Sequence, residues 1–227
     1  MDFRQIKAVT FDAGGTLIEP WPSVGDIYAK VAAELGFSSA SPGILNRQFA
    51  AAWKQKQNFD YSLDAWRKLV EESFADILAV RSELFAALYQ RFAQPDAWRI
   101  YNDVEATLKE LHRRGYRLAV ISNWDERLVP LLEGLGLSRY LDAVILSVNV
   151  GATKPSPRIF QHATAKLHLP PQSVLHVGDS LEEDARGAGA AGMCALLLDR
   201  QHASEATGSI YSLSILLELL KTRSVPS

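Results

Sequence analysis

A single cysteine, Cys194, stands in the 227 residues, so no disulfide can form within the chain, and a reducing, cytoplasmic compartment is the expectation. A basic surplus is missing as well. Lys and Arg number 24 against 26 Asp and Glu, the formal net charge is −2, and no run of Lys or Arg occurs. That balance argues against a nucleic-acid footprint and against non-specific attraction to an anionic membrane. Long apolar runs are absent too. The most apolar late segments, residues 193–198 and 215–220, are far below membrane-spanning length, and Asp2, Arg4 and Lys7 interrupt the first residues where a signal peptide would need an apolar core. There is no internal repeat and no low-complexity tract. What remains is small-molecule chemistry or protein contacts, with the oligomeric expectation left open between monomer and homodimer.

What is present is an ordinary globular composition, 48% hydrophobic and 22% charged, long enough for one large domain or a core with a smaller insertion. Residues 6–11 are compact and β-branched and read as a fully buried strand. The strand ends on Asp12, and Gly14 and Gly15 follow at once, so the backbone can turn sharply and leave the carboxylate in the crevice beyond a strand's carboxyl end. The texture then changes. Four amphipathic helical patterns fill residues 23–94, punctuated by Gly36, Ser41-Pro42, Ser62 with Asp64, and Pro95.

From Asp103 helices and strands alternate. Helices are expected over residues 103–114, from Asp125 onward, 157–168, 181–191 and 212–223, and strands over 117–122, 143–147, 173–177 and 193–198. Such alternation implies right-handed crossovers and a parallel sheet covered on both faces, with the helical block inserted after the first strand.

Each later strand ends on polar residues. Ser122 and Asn123, a hydroxyl and an amide before a helix N-terminus, suit an anion, although turn and cap roles would account for them singly. Asp125 reads as the N-cap of its helix. Lys154, after the third strand, could meet a phosphate or keep a carboxylate ionised, or could be a surface lysine. Asp179 ends the fourth strand and Asp184 lies about one helical turn on, so both could face a cation opposite Asp12. Clustered carboxylates need positive charge, and hard oxygen ligands favour Mg²⁺ over Zn²⁺; the competing account of Glu182, Glu183 and Asp184 is a favourable first turn of a helix.

Taken together, Asp12-Ala13-Gly14-Gly15-Thr16-Leu17, Ser122-Asn123, Lys154-Pro155 and Gly178-Asp179-Ser180 through Asp184 resemble, in order and spacing, the four motifs of the haloacid dehalogenase superfamily. The resemblance implies an α/β fold: a Rossmann-like core, residues 1–19 and 96–227, with strand order 5-4-1-2-3, and an all-helical cap, residues 20–95. It implies a hydrolase that works on a small phosphorylated metabolite through an aspartyl-enzyme intermediate on Asp12. Mg²⁺ would be held by Asp12, the Gly14 carbonyl and Asp179, with Asp184 in or next to the shell. Thr16, Ser122 and Lys154 would orient the phosphoryl group and the nucleophile. Gly15, Asn123, Trp21 and Trp124 complete the expected substrate contacts, the two tryptophans as rim candidates.

One position departs from that pattern. Phosphatases of this superfamily usually carry a second aspartate two residues after the nucleophile, as general acid and then base, and here Gly14 stands there. Proton transfer of this kind contributes about 10²–10⁴-fold, so poor leaving groups should suffer. Four readings follow: hydrolysis of acyl or aryl phosphates or use of a borrowed acid; 2-haloacid dehalogenation, which needs no proton but whose enzymes lack the Gly-Asp opening of the fourth motif; phosphonoacetaldehyde-type hydrolysis, which needs a cap lysine such as Lys30, Lys54 or Lys56; and a binding or regulatory protein retaining the fold. His176 reads as a satisfied core histidine, and Cys194 as an inert packed thiol.

Overall fold

The computed structural model describes residues 3–37, 41–56, 59–201 and 208–221, in two compact units: Met1–Ile18 with Ile100–Ser227, and Glu19–Arg99. In chain order the elements are β1 (Ala8–Phe11), β2 (Ile18–Pro20), α1 (Val24–Glu34), α2 (Pro42–Gln55), α3 (Leu63–Ser73), α4 (Ser82–Arg91), β3 (Trp98–Ile100), α5 (Val104–Arg113), β4 (Arg117–Ser122), α6 (Leu128–Gly134), β5 (Ala143–Leu146), α7 (Ser147–Val150), α8 (Pro157–Lys166), β6 (Val174–Gly178), a π-helical segment (Leu181–Arg186), α9 (Gly187–Ala190), β7 (Cys194–Leu198), β8 (Ser209–Ile210) and α10 (Ile215–Leu219), besides short 3-10 turns.

The first unit is built on a sheet in the order β5-β4-β1-β6-β7-β8, every neighbouring pair parallel. Read from β7, and counting β1, β4, β5, β6 and β7 as the first to fifth strands of the core, the order is 5-4-1-2-3. The sheet differs from expectation in one detail, since the two-residue β8, too short to carry a periodic signal, adds a sixth strand beside β7. The central strands β1 and β6 are buried along their whole length, which is why their sequences run apolar instead of alternating. Ala8, Ala119, Ile121, Ile145, Ile159, Phe160 and Leu167 form one core cluster between strands and helices. The register pairs Phe11 with Val120 and with Val177, so the strands on either side of β1 end level with it and deliver Asp12, Ser122 and Asp179 to one edge of the sheet.

Several element boundaries move. α6 starts at Leu128, because Asp125 accepts from both the backbone N–H and the guanidinium of Arg127 and so stands outside the helix it was expected to cap. The helix expected over 181–191 opens as a π-helix. The last helix is confined to Ile215–Leu219, and the expected end, residues 222–223, lies outside the described residues. Cys194 is half-buried on β7, more open than a packed thiol.

The second unit holds α1–α4. Ser23 and Ser62 accept from the backbone N–H groups of Asp26 and Ala65 at two of the helix starts, and Pro42 occupies the first turn of α2. Tyr28, Val31, Leu45, Val70, Phe74, Leu84, Phe85 and Leu88 form its core, with the Tyr28 and Phe74 rings stacked at 5.4 Å. A ladder of Phe49, Trp53, Trp66, Phe59 and Tyr61 continues outward, with the Lys56 ammonium 3.5 Å from the Trp53 ring centre. No helix among the described residues is long and apolar enough to cross a membrane.

Candidate active site

The site is assembled by strand ends. β1 delivers Asp12, β4 delivers Ser122 and Asn123, the turn after α7 delivers Lys154, and β6 delivers Asp179. Ser122 Oγ donates to Asp12 Oδ1 at 2.9 Å, and Lys154 Nζ donates to the same oxygen at 2.7 Å. Lys154 Nζ also donates to Asp184 Oδ1 at 2.6 Å. One ammonium therefore bridges two carboxylates, with its side chain only 2% exposed. Asn123 fixes the lysine's backbone: Lys154 N–H donates to Asn123 Oδ1 at 2.7 Å and Asn123 Nδ2 returns a bond to Lys154 O at 3.1 Å. The second proton of that amide reaches Glu183 at 3.1 Å.

Asp184 is held from three sides. Besides Lys154, His176 Nε2 lies 3.0 Å from Oδ1, and the Ser180 N–H donates to Oδ2 at 3.0 Å. The π-helical turn brings this about by folding the carboxylate back over β6, where a Cβ on Gly178 would overlap the Asp184 carboxyl carbon. Glycine is required there for that reason. His176 is completely buried on β6, directly opposite Thr10 of β1, and its Nδ1 lies 2.9 Å from Thr10 Oγ1. An ionised Asp184 can only accept, so Nε2 carries a proton toward it, while Thr10 Oγ1 also donates to Leu175 O at 3.4 Å. The histidine is a satisfied core residue, and it is also a partner of the acid cluster. The sequence signal was its place three residues before Asp179, but which face of the strand met an acid depended on a turn that the sequence pattern did not show.

Thr16 donates to Asp179 Oδ1 at 3.4 Å, and the Asp179 carboxyl lies against Gly15, whose φ of +76° and absent Cβ both serve the close approach. Gly14 faces Trp124: a Cβ built there would sit 3.4 Å from the indole Cζ3. Trp124 is pinned in turn, its N–H donating to Ser147 Oγ at 3.1 Å and its carbonyl accepting from it at 3.3 Å. Trp21 belongs to the second unit, where it lies exposed with the Arg99 guanidinium 3.5 Å from its ring centre.

The electrostatics follow from one cation among three acids. Burial alone would lower Lys154, but Asp12 and Asp184 hold it charged, above the ordinary lysine range. Burial pushes Asp184 up, and Lys154 with His176 outweighs it, holding that carboxyl well below the usual carboxylate range. Burial raises Asp12 above its ordinary value against the pull of Lys154. Asp179 is the exposed member of the three, yet burial of its carboxyl, followed by repulsion from Asp12 and Asp184, pushes it up to about 7. Carboxylate oxygens of Asp12, Asp179 and Asp184 lie within 4.8 Å of one another. An all-oxygen donor set with surplus negative charge fits a hard divalent cation.

A family model described as hydrolase, haloacid dehalogenase-like hydrolase, matches residues 6–192. The haloacid dehalogenase-like hydrolase domain-containing protein 3 of Bos taurus is 36% identical over 208 residues, covering 86% of this chain and 82% of that protein. A HAD phosphatase from Thermococcus onnurineus superposes with a TM-score of 0.71 at 28% identity, over 97% of this chain and 100% of that one. A dehalogenase superposes with a TM-score of 0.71 at 26% identity, over 95% and 97% of the two chains.

Proposed function

The chain belongs to the haloacid dehalogenase-like hydrolases, and from that premise we propose that it is a Mg²⁺-dependent phosphatase of small phosphorylated metabolites, working through an aspartyl-phosphate on Asp12. The observation that carries this reading is the cluster of Asp12, Asp179 and Asp184 around one buried lysine. A dehalogenase would have no use for three converging carboxylates, whereas phosphoryl transfer benefits from a cation beside the nucleophile. Asp12 and Asp179, with the Gly14 carbonyl and with Asp184 behind them, would hold Mg²⁺. When bound, the ion supplies neutralising charge at the phosphoryl oxygens.

The chain's own residues then divide the work. Ser122 and Lys154 grip one oxygen of Asp12 and orient the carboxylate. Its other oxygen attacks phosphorus; the new O–P bond forms as the P–O bond to the leaving group breaks, and the leaving oxygen keeps the electron pair. Water then cleaves the acyl phosphate, giving inorganic phosphate and restoring Asp12, so that one hard displacement becomes two easier ones. Lys154 and the N–H groups near Gly15 serve the phosphoryl oxygens, on which charge builds up, while Asn123 holds Lys154 in place and Thr16 holds Asp179. The helical unit Glu19–Arg99, including Trp21, takes the role of a substrate-selecting cap.

Gly14 sets the substrate class. A side chain there would meet the Trp124 indole, whose N–H is far too weak an acid to protonate a departing alkoxide, so aryl and acyl phosphates are the favoured substrates. The test measures phosphate release from p-nitrophenyl phosphate, acetyl phosphate and an alkyl monoester with Mg²⁺, using Asp12→Asn as control. The first two should turn over about 10²-fold faster than the third, and Gly14→Asp should recover part of that difference. Equal rates would reveal a substitute acid. Loss of Asp12 dependence on all three would leave a binding protein, and halide release from a 2-haloacid would instead establish dehalogenation.

A further inference from the structure

The nucleophile loop is also held by a residue far away in sequence. Arg200 Nη2 donates to the carbonyl of Thr16 at 2.7 Å, and the same guanidinium grips Asp103 with two bonds of 3.1 Å. Its Cζ lies over the Tyr101 ring, 3.9 Å from the centre. Tyr101 N–H in turn donates to Leu17 O at 3.2 Å. Both ends of this arrangement matter for the loop, since Thr16 and Leu17 are fully buried and Thr16 Oγ1 reaches Asp179 from the other side. Arg200 accepts a cost for the position: its Nε is buried without a hydrogen-bond partner among the described residues. A lysine could not replace it, because a point charge cannot fork onto Asp103, reach a carbonyl and stack on a ring together.

We propose that Arg200 is a positioning residue for the nucleophile loop, a brace that fixes the Thr16 peptide, and through it the geometry of Asp12 and Asp179. The proposal rests on the phosphatase reading for its catalytic consequence, not for the brace itself. The competing account is a purely architectural knot, for Asp103 also accepts from Ser212 Oγ and from Leu213 N–H, both at 2.7 Å, and so ties down the last segment of the unit. The two accounts separate because Ser212 shares Asp103 with Arg200 but has no bond to Thr16.

The experiment compares wild type, Arg200→Lys, Arg200→Ala and Ser212→Ala in the full-length protein by amide hydrogen exchange over residues 13–18 and by steady-state turnover of p-nitrophenyl phosphate with Mg²⁺. The brace requires the Gly15, Leu17 and Ile18 amides, which close the loop onto Ala13 and Ile18, to exchange at least about tenfold faster in Arg200→Lys, and not in Ser212→Ala. It also requires kcat to fall by about tenfold or more with KM within about twofold, as expected when reacting groups are misplaced without loss of substrate contacts. Wild-type exchange in Arg200→Lys, or an equal change in Ser212→Ala, overturns the proposal. Should Arg200→Ala fail to fold, the lysine variant still decides. Should wild type show no Asp12-dependent turnover, the phosphatase reading falls while the exchange comparison still judges the brace.

Discussion

The two units solve opposite problems with their interiors. The helical unit fills its centre with rings and aliphatic chains, Tyr28 against Phe74 and Leu84 beside Leu88, where stability comes from area removed from water and no charge is at stake. The sheet unit buries Lys154, Asp12, Asp184 and His176 in one connected cluster. Apolar packing tolerates loss in proportion to volume, whereas a buried ionic cluster is balanced only as a whole. The contrast teaches where charge is kept: the unit that carries the candidate site is the one that gives up apolar packing for an ionic cluster.

That contrast is sharpened most by removing the charge that balances the cluster. Lys154→Met leaves Asp12 and Asp184 facing each other without a cation, and should lose about 3–5 kcal/mol of stability in denaturant unfolding together with nearly all turnover. In the helical unit, Phe74→Ala should cost about 3–4 kcal/mol through the cavity it leaves, with kcat on p-nitrophenyl phosphate unchanged well below the transition temperature. A large kcat loss in Phe74→Ala would break the division of labour between the units.

A smaller effect concerns pH. Asp179, raised to about 7, keeps a proton in the metal-free folded state over a range where the unfolded chain has released it, so its contribution to stability falls as pH rises from about 4 through 7. Mg²⁺ competes with that proton. The rise in Tm on adding Mg²⁺ should therefore be larger at pH 8 than at pH 5.5, and the difference should vanish in Asp179→Asn. The smallest change is expected from Gly14→Ala, whose Cβ would rest at ordinary contact distance from Trp124; stability should move by less than about 1 kcal/mol. A large loss there would mean that the indole cannot yield to any side chain.

Much of this was legible before any coordinates. The apolar run into Asp12, the change of periodicity at residue 23 and the polar residues closing each later strand fix an α/β core and a helical insertion, because those signals are local. Long-range geometry was not legible. Arg200 meets Thr16 across 184 residues, and His176 owes its acid to a π-helical turn that no spacing rule anticipates. Asp125 was misjudged for a physical reason: two residues on stands an arginine whose fork binds a carboxylate more tightly than a helix's first N–H groups do.

The buried histidine has one more consequence. From Thr10 through His176, Asp184 and Lys154 to Asp12 the side chains form one unbroken series of hydrogen bonds, and the imidazole sits inside it without touching any reagent. Its ring nitrogens should therefore act as a built-in meter. Nitrogen-15 resonances of His176 would register, without any added label near the substrate, how much negative charge Asp12 carries at each stage of a turnover.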